Sequence, residues 1–157
     1  MEAQILQVKI SRDIDTNPDF SNMGEYSDKQ GPADKTVDRK EQGDMKQHER
    51  RYFIAAMSGE ETGNPKSVMQ DYKRCEALQN EEWNHLGFKA RAQINLGVSD
   101  FICQEICSGG QWGIPSDAGE NEILEVANDE LLDLRAELTA IGFSKEAIDK
   151  AFENAIN

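Results

Sequence analysis

FKARAQINLGVSDFICQEIC, residues 88–107, decides the fold. Phe88, Ala90, Ala92, Ile94, Leu96 and Val98 alternate without a break with Lys89, Arg91, Gln93, Asn95 and Gly97. A period of two marks a strand with one buried and one wet face, the usual state in an antiparallel sheet. GVSD (97–100) has turn chemistry, and Phe101–Cys107 resumes an apolar run, so the pair predicts a β-hairpin.

Upstream, QILQVKI (4–10) reads as a first strand, on Ile5, Leu6, Val8 and Ile10. Residues 13–50 are rich in Asp, Asn, Gly and Lys, with apolar side chains mainly around Phe20, Met23 and Tyr26. That stretch reads as a long polar loop, either functional or in part disordered. RRYFIAAM (50–57) restores a strand. Asn64-Pro65 predicts a helix start, an Asn cap followed by proline at the first helical position. Val68, Met69, Tyr72, Cys75 and Leu78 then recur at helical spacing up to Asn80.

Downstream of the glycine-rich SGGQWGIPSD (108–117) the period becomes helical. Ile123, Leu124, Ala127, Leu131, Leu134, Leu138 and Ile141 line one face of a helix over 121–140, ended by Gly142. Ser144 caps a last helix whose apolar side is Ala147, Ile148, Ala151, Phe152 and Ile156. The fold class is therefore α+β: a small antiparallel sheet with a β-hairpin packed by helices, closing in a C-terminal αα-hairpin. The expected organisation is one domain over residues 1–157, with 119–157 as its acidic helical end. The closing pair also looks like the first two helices of a ubiquitin-associated domain. No third helix follows and Ile141 stands where Met is usual, so a simple helix hairpin is the better reading.

Charge narrows the function classes. The 157 residues carry a net charge of −13, which argues against direct nucleic-acid binding, because phosphate neutralisation supplies most of that affinity. Residues 111–157 hold 11 acidic and 3 basic side chains, so the acidity is concentrated there. Glu122, Glu125, Asp129, Asp133 and Glu137 fall within about a third of the helical wheel, opposite the leucines. They form either a solvated face or a charged rod for a basic protein partner. No apolar run approaches the length of a membrane span, and the first residues lack the basic start and apolar core of a secretory signal. Three cysteines, Cys75, Cys103 and Cys107, are expected as reduced, buried core thiols.

The glycine stretch invites a phosphate reading, which fails. Gly113 is followed by Ile114 rather than by the lysine of a P-loop. Asp117 is placed to cap the next helix, with Glu120 three residues on as in a capping box. Those carboxylates occupy the helix start an anion would need. They could ligate a divalent metal, but capping explains them without one, so neither metal nor cofactor is expected. Trp112 reads as a cover for the hairpin's end or as an anchor for a partner. Ser108 and Ser116 lack the surroundings of a nucleophile elbow, and His85 has no local partner marking it as a base. No catalytic residue is assigned.

Several stretches resemble a family of small proteins of bacteriophages and mobile elements. They are DFSNMGEYSD (19–28), RRYFIAAM (50–57), DYKRCEALQNEEWNHLGFKARAQI (71–94), SGGQWGIPSD (108–117) and the terminal helix pair. The family's glycine motif runs closer to S-G-G-L-W-G-I-E-S-D, from which Gln111 and Pro115 depart. The resemblance brings no catalytic residue. It implies an accessory protein working in a bacterial host cytoplasm. The leading expectation is an acidic binding protein that occludes a basic nucleic-acid-binding defence component, of the anti-CRISPR or antirestriction type. The alternative is an enzyme or small-ligand binder at the hairpin end, around Trp112, Asp117 and Glu120.

Overall fold

The computed structural model describes residues 3–47, 49–97 and 103–153. In chain order the elements are β1 (Gln4–Ile14), β2 (Gly24–Ser27), β3 (Thr36–Asp38), α1 (Arg39–Gln42), β4 (Tyr52–Ala55), α2 (Ser67–Gln79), β5 (His85–Asn95), β6 (Cys103–Cys107), β7 (Gln111–Pro115), α3 (Glu120–Ala140) and α4 (Lys145–Glu153). Antiparallel sheets with helices packed on them make the fold α+β. The chain divides into two compact units, residues 17–83 and residues 1–16 with 84–157.

In the unit built on the opening stretch, β5 is the central strand. Phe88, Ala90, Ala92 and Ile94 are buried while Gln93 is exposed, as the alternation requires. β1 pairs antiparallel along one edge of β5, with a register shift between Ile5 and Gln7. On the other edge β6 covers Arg91–Asn95 and β7 covers His85–Phe88, so the two lie end to end. The predicted hairpin is the β5–β6 pair; most of its GVSD turn, and Phe101, lie outside the described residues.

α3 and α4 close the core: Leu134, Leu138, Ile148 and Phe152 pack with Val8, Ala90, Ala92 and Ile94. Gly142, at φ 101°, ends α3, and the Phe143 N–H returns to the Leu138 carbonyl at 3.1 Å. The Ser144 hydroxyl accepts from the Ala147 N–H at 3.2 Å, the expected cap. The buried line on α3 differs from the expected one. It runs through Val126, Glu130, Leu134 and Leu138, whereas Leu124 and Ile141 are exposed. Spacing alone places Ile123, Leu124 and Ala127 equally well. Contact with the sheet selects the i, i+4 ridge that includes Glu130.

The second unit corrects the long-loop reading of residues 13–50, which carry the end of β1 together with β2, β3 and α1. β2 and β3 flank β4 in a three-stranded antiparallel sheet. Tyr26, Val37, Phe53 and Ala55 pack there against Tyr72 and Cys75 of α2. The aromatic rings meet edge-on or tilted, Tyr26 to Phe53 at 5.5 Å and Phe53 to Tyr72 at 5.6 Å between centroids. α2 starts at Ser67 rather than at Pro65. Asn64 Oδ1 accepts from the Lys66 N–H at 3.0 Å, so the asparagine shapes a turn before the helix instead of capping it.

This unit is held by a buried polar cluster as well as by its rings. Arg39 is 2% exposed. Its Nη1 donates to the Arg50 carbonyl at 2.8 Å, and its Nη2 donates to Glu49 at 2.9 Å and to Glu76 at 3.2 Å. Its guanidinium also lies 4.7 Å from the Tyr26 ring centroid. The Tyr26 hydroxyl donates to Glu76 Oε1 at 2.8 Å; burial, and then that bond, raises the phenol well above its ordinary range.

The cysteines do not behave alike. Cys75 is buried, and burial pushes its thiol up to about 12. Cys103 is exposed and Cys107 half-buried, which corrects the expectation of three core thiols. β6 is an outer strand, so most of its side chains stay wet.

Candidate functional site

SGGQWGIPSD bridges β6, β7 and the approach to α3. Between Cys107 and Gln111 the strand along β5 is broken. Ser108 carries the pairing across the break. Its N–H donates to the Ala90 carbonyl at 2.9 Å, and its hydroxyl accepts from the Ala90 N–H at 2.8 Å. Ser116 does the same at the far end of β7: its N–H donates to the Asn84 carbonyl at 2.7 Å, and its hydroxyl accepts from the Asn84 N–H at 2.9 Å. Both serines thus complete a ladder beside β5.

The break needs a further acceptor, which α3 supplies. Glu130, 1% exposed, accepts from the Ser108 hydroxyl and, at 2.9 Å, from the Gly110 N–H; both bonds go to Oε2. A buried carboxylate is costly unless it receives such bonds. Gly110, at φ 88°, lets the turn present its N–H in this way. Sequence reasoning passed over Glu130. Its signal was present: an acid at the centre of the spacing Val126, Leu134, Leu138, where an apolar residue belongs.

Trp112 covers the next weak point. A Cβ built on Gly87 of β5 would lie 2.2 Å from Trp112 Cε3, so the indole rests directly on the glycine backbone. A bare glycine in a central strand leaves a gap, which a neighbouring ring fills. Trp112 remains 51% exposed, so its other face meets solvent. Gly87→Val is therefore expected to expel the ring and to destabilise by about 1–3 kcal/mol. In a Trp83→Phe background, the Trp112 emission should shift to the red and become more accessible to iodide. Unchanged emission would mean that the ring is not seated on Gly87.

The predicted cap is placed differently. Gly119 is the N-cap of α3, without a side-chain bond, and Glu120 is the first helical residue. Asp117 is exposed and precedes the cap by two positions, so no capping box forms. Gly119 takes the cap because the Ser116 bonds to Asn84 hold the chain on the sheet until that point. Glu120 and Glu122 still put negative charge in the first turn. His85 is buried on β5, its carbonyl accepting from the Asp15 N–H at 2.8 Å, while Trp112, Asp117 and Glu120 are exposed. Among the described residues no group of three or more His, Cys, Asp or Glu side chains gathers as metal ligands. His48 lies outside the described residues.

The acidic stripe is where spacing puts it. Glu122, Glu125, Asp129, Asp133 and Glu137 are all exposed. The ion pair that links α3 to α4, Arg135 with Asp149 at 2.6 Å, does not involve them. Leu124 and Leu132, 59% and 64% exposed, lie on the adjoining ridge at i, i+8 with Asn128 between them. The outer face of α3 therefore sets carboxylates beside solvent-exposed leucines. Comparison with family models, with curated proteins and with solved structures finds no match.

Proposed function

We propose that this chain is an acidic binding protein that occludes a basic, nucleic-acid-binding host protein with the outer face of α3, as an anti-defence factor of a phage or mobile element. The observation that carries the reading is the pairing of two ridges on one exposed helix face. Glu125, Asp129, Asp133 and Glu137 supply charge, and Leu124 and Leu132 supply apolar area. Charge alone steers encounter and is screened by salt. Exposed leucines beside it give a complex something to desolvate. From Glu122 to Glu137 the stripe runs about 22 Å at about 1.5 Å per residue, the reach of a short basic groove. The net charge of −13 speeds approach to a cationic surface and repels nucleic acid itself.

The test is retention of basic proteins from a bacterial lysate on the immobilised chain, followed by a nucleic-acid competition assay with the retained protein. At about 0.05 M salt the parent should retain a partner that about 0.5 M salt releases, as screening demands. Asp129→Lys with Asp133→Lys should weaken that complex at least tenfold, mostly through the association rate. Leu124→Ser with Leu132→Ser should speed dissociation instead. Retention indifferent to both pairs of substitutions, or a partner whose nucleic-acid binding is unaffected, would overturn the reading.

A further inference from the structure

The outer edge of β1 and the flank of α4 form a second feature, remote in kind from the acidic helix. A cleft of ≈ 630 Å³ is lined by Ala3–Val8 on one side and by Ala147, Lys150 and Ala151 on the other. Among the described residues no strand pairs with that edge: the sheet order ends at β1. An outer strand carries a row of backbone N–H and C=O groups directed away from the sheet, which is a template for another strand.

Three features fit the cleft to an extended chain. First, Ala3–Val8 (AQILQV) contains no charged residue, whereas Lys9, Arg12 and Asp13 follow at once. Charges are what normally guard an edge against pairing, so the unguarded half is the half that faces the cleft. Second, Ala147 and Ala151 stand one turn apart on α4, and two methyl groups leave a recess for side chains from an added strand. Leu6, half-exposed, offers apolar surface on the strand side. Third, six residues of strand span about 20 Å at about 3.3 Å each, and the cleft volume lies within the range of about 300–1,000 Å³ typical of binding clefts.

We propose that Ala3–Val8 is a strand-addition site, taking an extended segment of another protein that alternates small apolar with uncharged polar side chains. Backbone bonds to β1 supply affinity, and the alanine recess of α4 selects side-chain size. A second copy of this chain is the poorer occupant, because two molecules each carrying −13 repel one another. The inference does not rest on the acidic face and does not fall with it.

The probe is an acetylated, amidated octapeptide, Lys-Val-Thr-Val-Thr-Val-Thr-Lys, titrated into the isotope-labelled full chain. Amide shifts should saturate at Ala3–Val8 and at Ala147–Ala151, with hydrogen exchange slowed at least tenfold at alternate residues of the strand. Two further peptides, N-methylated at the valines or at the threonines, give the sharper readout. A paired strand uses alternate N–H groups, so one should lose binding at least tenfold and the other should keep it within about twofold. Ala151→Phe fills the recess and should weaken the parent peptide at least tenfold; Ala147→Gln, a milder change, should act in the same direction. Equal binding of the two methylated peptides would overturn strand addition. So would the absence of shifts at about 1 mM peptide. Protection of Ala3–Val8 that grows with protein concentration alone would assign the edge to a second copy and overturn the proposed occupant.

Discussion

Glu130→Ala is expected to destabilise the unit formed by residues 1–16 and 84–157 by about 3–4 kcal/mol. The carboxylate holds two donors at one oxygen, the Ser108 hydroxyl and the Gly110 N–H; Glu130 and Ser108 are buried and Gly110 is half-buried. Removing the acceptor leaves the Gly110 N–H without its partner and the Ser108 hydroxyl with only the Ala90 carbonyl at 3.4 Å, at about 1–3 kcal/mol for each weakened donor, and opens a cavity over the strand break. Glu130→Gln separates bonding from charge. An amide oxygen can accept the same two bonds, so this variant should stay within about 1 kcal/mol of the parent. Glu130→Leu fills the space but accepts nothing, and should resemble alanine more than glutamine. Urea unfolding followed by Trp112 emission, in a Trp83→Phe background, measures all three. If leucine matches glutamine, the turn is held by packing and the account of Glu130 is wrong.

Arg39→Ala should have the larger effect, about 3–5 kcal/mol on the unit formed by residues 17–83. Arg39 is buried against Glu76, whose own side chain is 13% exposed, with Nε 3.0 Å from Glu76 Oε1. Removal strands a carboxylate among Tyr26, Tyr72 and Cys75 and frees the Arg50 carbonyl. Breaking one side of such a pair costs much more than exchanging both sides for apolar groups. Domain stabilities lie at about 5–15 kcal/mol, so the alanine variant should lose a large share of the unit's stability and unfold at a much lower urea concentration than the parent. Arg39→Lys keeps a charge but cannot donate to Arg50, Glu49 and Glu76 together, and should recover less than half of the loss. The decisive comparison is Arg39→Met with Glu76→Leu and Tyr26→Phe, which removes the three buried side-chain partners together and leaves the partly exposed Glu49 to solvent. That triple variant should unfold at a higher urea concentration than Arg39→Ala alone. Trp83 emission reads this unit: its Nε1 donates to the Arg74 carbonyl at 3.0 Å, and the Arg74 guanidinium sits 3.7 Å from its ring centroid. A triple variant weaker than the single one would show that the cluster contributes net stability.

Legibility in the sequence followed periodicity. β5 and α3 were readable because their side chains repeat every 2 or 3.6 residues against a single buried face. Within residues 13–50 the same rule gave a loop, since β2, β3 and α1 are three or four residues long and too short to show a period. Their core residues Tyr26 and Val37 became legible only once Phe53 and Tyr72 were beside them. Arg39 looks in sequence like a surface charge, and Glu130 stands out only once Val126, Leu134 and Leu138 are known to be the buried line. Each is buried because distant groups meet it, the Arg50 carbonyl and Glu76 for one, Ser108 and Gly110 for the other.

The sequence by itself determined the α+β class, the β5–β6 pairing, a helix over 121–140 and the exposed acidic stripe. All of these follow from local spacing and from where charge cannot be buried. Only the tertiary structure decided what SGGQWGIPSD is. It is a broken edge strand, bridged by Ser108 and Ser116, pinned by Glu130 and closed over Gly87 by Trp112. The physical reason is that a break in a sheet leaves backbone donors to be satisfied, and the group that satisfies them comes from a helix twenty residues away in sequence.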